Sequence, residues 1–259
     1  MCNLYSHTRN VEAMRKLFAP FDDGGANFAA LPPQPGIFPD YEAPIIRNED
    51  GAPRLARARW GMPSSKKALL EAAGKRADRL RAKGQPVDFD QLLRMEPDSG
   101  TTNVRNTASA HWRRWLDVPS RCLVPFNSFS EFNREAGGDI WFALGEERPT
   151  AFFAGIWCAN WRSVRKMKSG EETADLYAFL TTDPNAELAP IHPKAMPVIL
   201  TTPEECAAWM TLPWEQAKAL QRPLADGLLS IVARGVKEDD PAKPPLFAAV
   251  KPPAQGDLF

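Results

Sequence analysis

No stretch of this 259-residue chain approaches the roughly 20 apolar residues of a membrane span, and its amino terminus lacks a charged-then-apolar signal segment. Both absences point to a soluble, cytoplasmic protein. Charge of either sign is not in excess: 32 Lys and Arg balance 32 Asp and Glu, so binding to a polyanion cannot be read from global electrostatics and needs a local basic patch. Cysteine is sparse and unpaired in sequence. Cys2, Cys122, Cys158 and Cys206 form no C-x-x-C, which favours free thiols over disulfides in a reducing compartment. The three histidines, His7, His111 and His192, make no zinc-like spacing with them, so no metal site and no cofactor are expected. What is abundant is proline, 25 residues of it, which suits a loop-rich or β-rich fold better than a helical bundle.

Along the chain, Val11, Met14, Leu17 and Phe18 recur at helical spacing and predict a short helix over Thr8–Ala19, with Thr8 or Asn10 as cap. Short strands are expected at Ala43–Arg47 and Ala56–Trp60. Ser64–Lys83 reads as an exposed helix ended by Gly84, its basic residues forming a solvated face. Strand signals then cluster at Arg121–Phe132, Ile140–Leu144, Ala151–Trp157, Leu176–Thr181 and Met196–Leu200. Two short helices, Pro203–Met210 and Trp214–Gln221, precede a last strand at Leu228–Ala233, which reads as buried. Nothing repeats, and strands do not alternate regularly with helices. The pattern is that of one α+β domain over residues 1–235 with a mostly antiparallel sheet, followed at 236–259 by a flexible proline-rich tail.

Cys2 occupies a chemically unusual position. Methionine aminopeptidases remove Met1 when the next residue is small, and the product carries an α-amine and a thiol on adjacent carbons. The amine has a pKa near 8 and the thiol about 8.5, so both have reactive fractions at neutral pH. Such a 1,2-aminothiol condenses with an aldehyde: the amine forms an imine, the thiol adds to it, and a thiazolidine ring results. Position alone does not separate this role from a cysteine that merely happens to be second.

Other segments bear on the choice. Met1-Cys2-Asn3-Leu4-Tyr5-Ser6, Trp60-Gly61-Met62-Pro63, Thr102-Asn103-Val104-Arg105-Asn106-Thr107, Arg121-Cys122-Leu123-Val124-Pro125 with Phe129-Ser130-Glu131-Phe132, and Ile191-His192-Pro193-Lys194-Ala195-Met196-Pro197-Val198-Ile199-Leu200 follow one another in order. Together they resemble the SRAP family, the SOS-response-associated peptidase-like proteins. The resemblance implies a barrel-like sheet with peripheral helices, and a protein that cross-links through its amino-terminal cysteine to abasic sites in single-stranded DNA. It further implies that Asn103 hydrogen-bonds around the cysteine and its adduct, that Glu131 assists sugar ring opening, and that His192 shuttles protons. Arg105, Arg113, Thr181 and Lys194 match DNA-contact positions. Trp112 and Trp115, beside Arg113, are either base-stacking groups or core.

Two departures from the family pattern stand out. Asn3-Leu4 replaces a common Gly-Arg, removing one phosphate-binding arginine, and the His192–Pro197 motif carries one extra residue. The last five residues, Gln255, Gly256, Asp257, Leu258 and Phe259, resemble the Gln-x-Asp-Leu-Phe peptide that docks bacterial repair proteins on the sliding clamp, with Leu258 and Phe259 filling an apolar pocket. The expected form is a monomer that associates with the nucleoid when bound to DNA. Two rival readings remain at this point: a thiol (auto)peptidase with Cys2 as nucleophile and His192 as base, and a non-covalent single-stranded DNA module whose binding falls steeply with salt.

Overall fold

A computed structural model of the chain describes residues 2–19, 21–22 and 32–242. Its strands are β1 (Leu4–His7), β2 (Gln34–Ile37), β3 (Glu42–Glu49), β4 (Ala52–Trp60), β5 (Asn103–Val104), β6 (Arg121–Phe126), β7 (Ser128–Asn133), β8 (Gly138–Ala143), β9 (Ala151–Val164), β10 (Glu171–Thr182), β11 (Met196–Pro197), β12 (Ile199–Leu200) and β13 (Ser230–Arg234). The helices are α1 (Val11–Leu17), α2 (Lys66–Ala82), α3 (Phe89–Arg94), α4 (Ala110–Arg113), α5 (Pro203–Thr211) and α6 (Trp214–Ala217). Among the described residues, no helix is long and apolar enough to cross a membrane.

Local chemistry sets the helix limits. The side chain of Asn10 accepts from the Ala13 amide and starts α1, and Ser65 does the same for α2 through Ala68. Gly84, at a φ of 68°, supplies the left-handed residue that ends α2. Thr202 caps α5, and the Glu205 carboxylate returns to the Thr201 amide at 2.8 Å.

Strands β4, β3, β6, β9 and β10 pair in that order, and β10 returns to β4, closing a five-stranded barrel. Every pairing around the ring is antiparallel except β4 with β10. The inward face is identified by Arg47 on β3, which forms an ion pair with Asp175 on β10, a strand that is not its neighbour. Ala43, Ile45, Cys122, Val124, Phe153, Tyr177 and Phe179 share that face. Space inside is tight: a Cβ on Gly155 would lie 2.7 Å from Cys122 Sγ and 2.8 Å from Val124 Cγ2. The opposite faces of the same strands, with Leu123, Ala154, Ile156 and Ala178, pack outward against Cys206, Trp209 and Met210 of α5.

A second, antiparallel sheet of order β13-β8-β7-β1-β2 covers one part of the barrel. The run Arg121–Phe132 looks like one strand in sequence but is two. Between them Asn127, fully buried, accepts from the Thr8 amide at 2.8 Å and donates to the Arg148 carbonyl at 3.0 Å, and the chain leaves the barrel for the second sheet there. The last strand is also not buried as its apolar run suggests. β13 is a sheet edge, and Ile231 within it and Leu228 just before it are exposed.

The tail expected from 236 starts out packed. Trp141 donates its indole N–H to the Val236 carbonyl at 2.8 Å. Asp239 is buried, paired with Arg148 at 2.7 Å, and accepts from Ser128 at 2.5 Å.

Candidate active site

β1 lies between β7 and β2, with Leu4 opposite Ser130 and Tyr5 opposite Phe129. Tyr5 anchors it. Its ring stands edge-on to Trp60 and Phe153, centroids 5.1 and 5.7 Å away, and its hydroxyl shares a 2.5 Å hydrogen bond with that of Tyr177. This fixes the segment leading into β1, and with it Cys2, which is 1% exposed. The thiol donates to the Leu4 carbonyl at 3.4 Å.

Asn103 comes from β5, held against β10 by pairing with Phe179. Its amide nitrogen donates to the Cys2 carbonyl at 2.7 Å and to the Thr102 hydroxyl at 2.8 Å, and that hydroxyl donates to Asn3 at 3.1 Å. Trp60 steadies the same turn by donating to the Thr102 carbonyl at 3.0 Å. The Asn103 carbonyl oxygen is buried and has no hydrogen-bond partner among the described residues. It is an acceptor available beside the cysteine.

Glu131, on β7, is 2% exposed, and its carboxylate faces His192 Nδ1 at 3.6 Å. Burial pushes the Glu131 carboxyl up to about 7. Burial also lowers His192 below its ordinary value, and the nearby Lys194 acts in the same direction. The Cys2 thiol is pushed far up, first by burial and then by the Glu131 charge. At neutral pH the site therefore holds a neutral thiol, a neutral imidazole and a carboxyl near its midpoint, a set suited to passing protons. Asn3, Glu131, Phe132, His192, Asp139 and Lys237 line a cavity of about 430 Å³, with Phe132 60% exposed at its rim.

Cys2, Asn103, Glu131 and His192 thus come together from four separate segments. The expected DNA-contact residues are more dispersed. Arg105 binds Asp183 and the Thr182 carbonyl, and reaches the Lys194 carbonyl at 3.3 Å, so Arg105 and the exposed Lys194 sit side by side. Arg113, exposed on α4, donates to the Ala108 carbonyl at 3.0 Å. Thr181 is 1% exposed, and its hydroxyl has no partner among the described residues. Trp115 belongs to the core, with the Arg114 guanidinium 3.9 Å above its ring, and Trp112 packs half-buried against the same cluster. Gln255, Asp257, Leu258 and Phe259 lie outside the described residues. Among those described, no three His, Cys, Asp or Glu side chains gather as metal ligands.

The sequence reading missed Asp139 and Lys237. They form an ion pair of 2.5 Å across 98 residues of chain, and no local pattern signals such a pairing.

The family model described as SOS response associated peptidase (SRAP) matches residues 1–237. Among solved structures, a protein from Bacteroides thetaiotaomicron is similar at 20% identity and a TM-score of 0.59, over 88% of this chain and 90% of that one. One from Bordetella bronchiseptica is similar at 23% identity and 0.57, over 88% and 97%. A phage-related protein from Bordetella bronchiseptica gives 19% and 0.56, over 88% and 92%. These three likenesses concern the fold. A comparison with curated proteins finds no match.

Proposed function

The chain belongs to the SRAP family, whose name ties it to the SOS response to DNA damage, and on that premise we propose that it shields abasic sites in single-stranded DNA by covalent capture through Cys2. The observation that carries this reading is Cys2 held at its carbonyl by Asn103, with the charge of the buried Glu131 acting on its thiol and Glu131 in turn facing the half-buried His192.

The chemistry follows from those groups once Met1 is removed. Glu131 in its protonated form gives a proton to the ring oxygen of the abasic deoxyribose while the neutral His192 takes the proton of the anomeric hydroxyl, and the ring opens to the aldehyde. The freed α-amine of Cys2 attacks the aldehyde carbon. The carbinolamine loses water, with His192 and Glu131 relaying protons, and an imine remains. The thiol then adds to the imine carbon, its proton passing to nitrogen, and closes the thiazolidine. Aldehyde plus aminothiol gives thiazolidine plus one water. With the carbonyl gone, β-elimination of the strand loses its driving group. Asn103 offers its carbonyl oxygen, without a partner among the described residues, to the new amine or to a sugar hydroxyl.

A thiol peptidase fits these groups less well. It needs a thiolate, whereas the Cys2 thiol is buried with a strongly raised pKa and the imidazole of His192 is turned to Glu131. The test is incubation of the processed protein with abasic single-stranded DNA, followed by denaturing electrophoresis and intact mass. The expected product has the mass of Met1-less protein plus DNA minus one water. Absence of an adduct, or an equal yield from Cys2→Ala, overturns the proposal. Binding that survives Cys2→Ala without an adduct points instead to a non-covalent module.

A further inference from the structure

Between Pro63 and Thr101 the chain makes an excursion, and α2 and α3 form it into an arm. Backbone and side chains close its neck. Met62 and Thr101 exchange amide-to-carbonyl hydrogen bonds of 3.0 and 2.7 Å, and the Ser64 amide donates to the Asp98 carboxylate at 3.0 Å. The buried Arg165 guanidinium donates to the carbonyls of Gly61 and Asp98 across the same neck. Gly100 fits there because it has no side chain: a Cβ would lie 2.9 Å from the Gly61 Cα. Directly beyond the neck, Thr102 reaches Asn3 and Asn103 holds the Cys2 carbonyl. On its other side His111 of α4, the helix that presents Arg113, donates Nε2 to the Pro63 carbonyl at 2.9 Å. The arm is thus planted beside the Cys2 site.

α2 lies on the protein by one face. Ala73 and Ala77 are fully buried, and Arg76 between them pairs with the buried Glu96 at 3.2 Å. At 3.6 residues per turn, Lys75 and Arg79 stand about 200° round the helix from those alanines, and Lys83 continues their row over about 12 Å of axis. All three are exposed and have no anionic partner among the described residues, whereas Lys67 pairs with Glu71 and Arg81 with Asp78. From Lys66 to Lys83 seven cations stand against two acids, in a chain whose charges balance. A face that is merely solvated gains from opposite signs at i,i+4 spacing; this row sets like charges at that spacing, which costs the helix stability.

A polyanion laid along the row reverses that cost. Resting on the cross-linking reading above, we propose that Lys75, Arg79 and Lys83 form a second DNA contact, holding phosphates of the single strand some nucleotides away from the abasic site. The occupant is the captured strand itself, because the arm is planted where that strand's reacting sugar is held, and charge is the complementarity the row offers.

The experiment is fluorescence-anisotropy binding of the full chain, over a salt series, to single strands carrying a tetrahydrofuran abasic analogue, which has no aldehyde. One strand has about three nucleotides on either side of the analogue and another about fifteen. Replacing the three cations together (Lys75→Gln, Arg79→Gln, Lys83→Gln) is expected to weaken binding of the long strand roughly tenfold and to flatten its salt slope by about two, with the short strand bound as before. Lys75→Gln alone should flatten the slope by about 0.7, and Lys75→Arg should leave it as it is. Unchanged affinity and slope on the long strand overturn the proposal. So does an equal loss on the short strand, or a wild-type chain that binds both strands alike. The side chains replaced are exposed and Gln is a good helix former, so the variants are expected to fold, which circular dichroism checks. A wild-type chain that forms no adduct with abasic DNA sinks the cross-linking reading but not this contact, because the analogue reports binding alone.

Discussion

Replacing Glu131 with Gln should make the protein more stable at pH 8 and leave it nearly unchanged at pH 4. Its carboxyl is buried, and its pKa rises from 4.5 in the unfolded chain to about 7 in the folded one. Between those values the folded state binds more proton than the unfolded state, so stability falls as pH rises through the window. The cost is absent below about 4.5 and complete above about 7. A gap of about 2.5 units corresponds to about 3 kcal/mol. Glutamine keeps the shape without the charge and escapes that cost. For a domain of this size the gain is roughly 6 to 12 °C in Tm at pH 8. Urea and thermal unfolding, followed by tryptophan fluorescence on wild type and variant at both pH values, give the difference directly. The same variant should form adduct more slowly, since it has no proton to give. Equal stability differences at pH 4 and pH 8, or a variant less stable at pH 8, would refute the argument that Glu131 is held near its midpoint by burial.

Further outcomes can be checked independently. Burial lowers His7 from 6.5 to about 4, so the folded state keeps it neutral and about 3 kcal/mol of stability is lost as pH falls through that window; the loss should vanish in a His7→Gln variant that folds, measured by urea unfolding. Asp239→Ala removes the buried partner of Arg148 and should cost about 3 kcal/mol in the same assay. Asn103→Ala deletes the hydrogen bond to the Cys2 carbonyl and should slow adduct formation about tenfold, seen in single-turnover gels. One glycine retained ahead of Cys2 should abolish the adduct while thiol reagents still modify the unfolded chain, because the aminothiol needs a free amine.

The motif blocks singled out Cys2, Asn103, Glu131 and His192 as candidates, because each sits in a short ordered block. Helices α2 and α5 were read from the sequence to within a residue or two, α2 with Gly84 as its stop. A mostly antiparallel α+β domain was readable from strand signals and the lack of repeats. The barrel came with the family resemblance and not from the strand signals, since its closure depends on β10 returning to β4 across more than a hundred residues. The break at Asn127 was not readable, since there a polar side chain answers to amides from a distant strand end rather than to its neighbours in sequence. Chemical identity at the amino terminus is a covalent property, so sequence alone determines that Cys2 becomes an aminothiol when Met1 is removed. Protonation is a property of surroundings. Only the tertiary structure decides that Glu131 is buried beside His192, that the thiol is held neutral, and that Lys237 meets Asp139, because burial and charge pairing depend on distance in space.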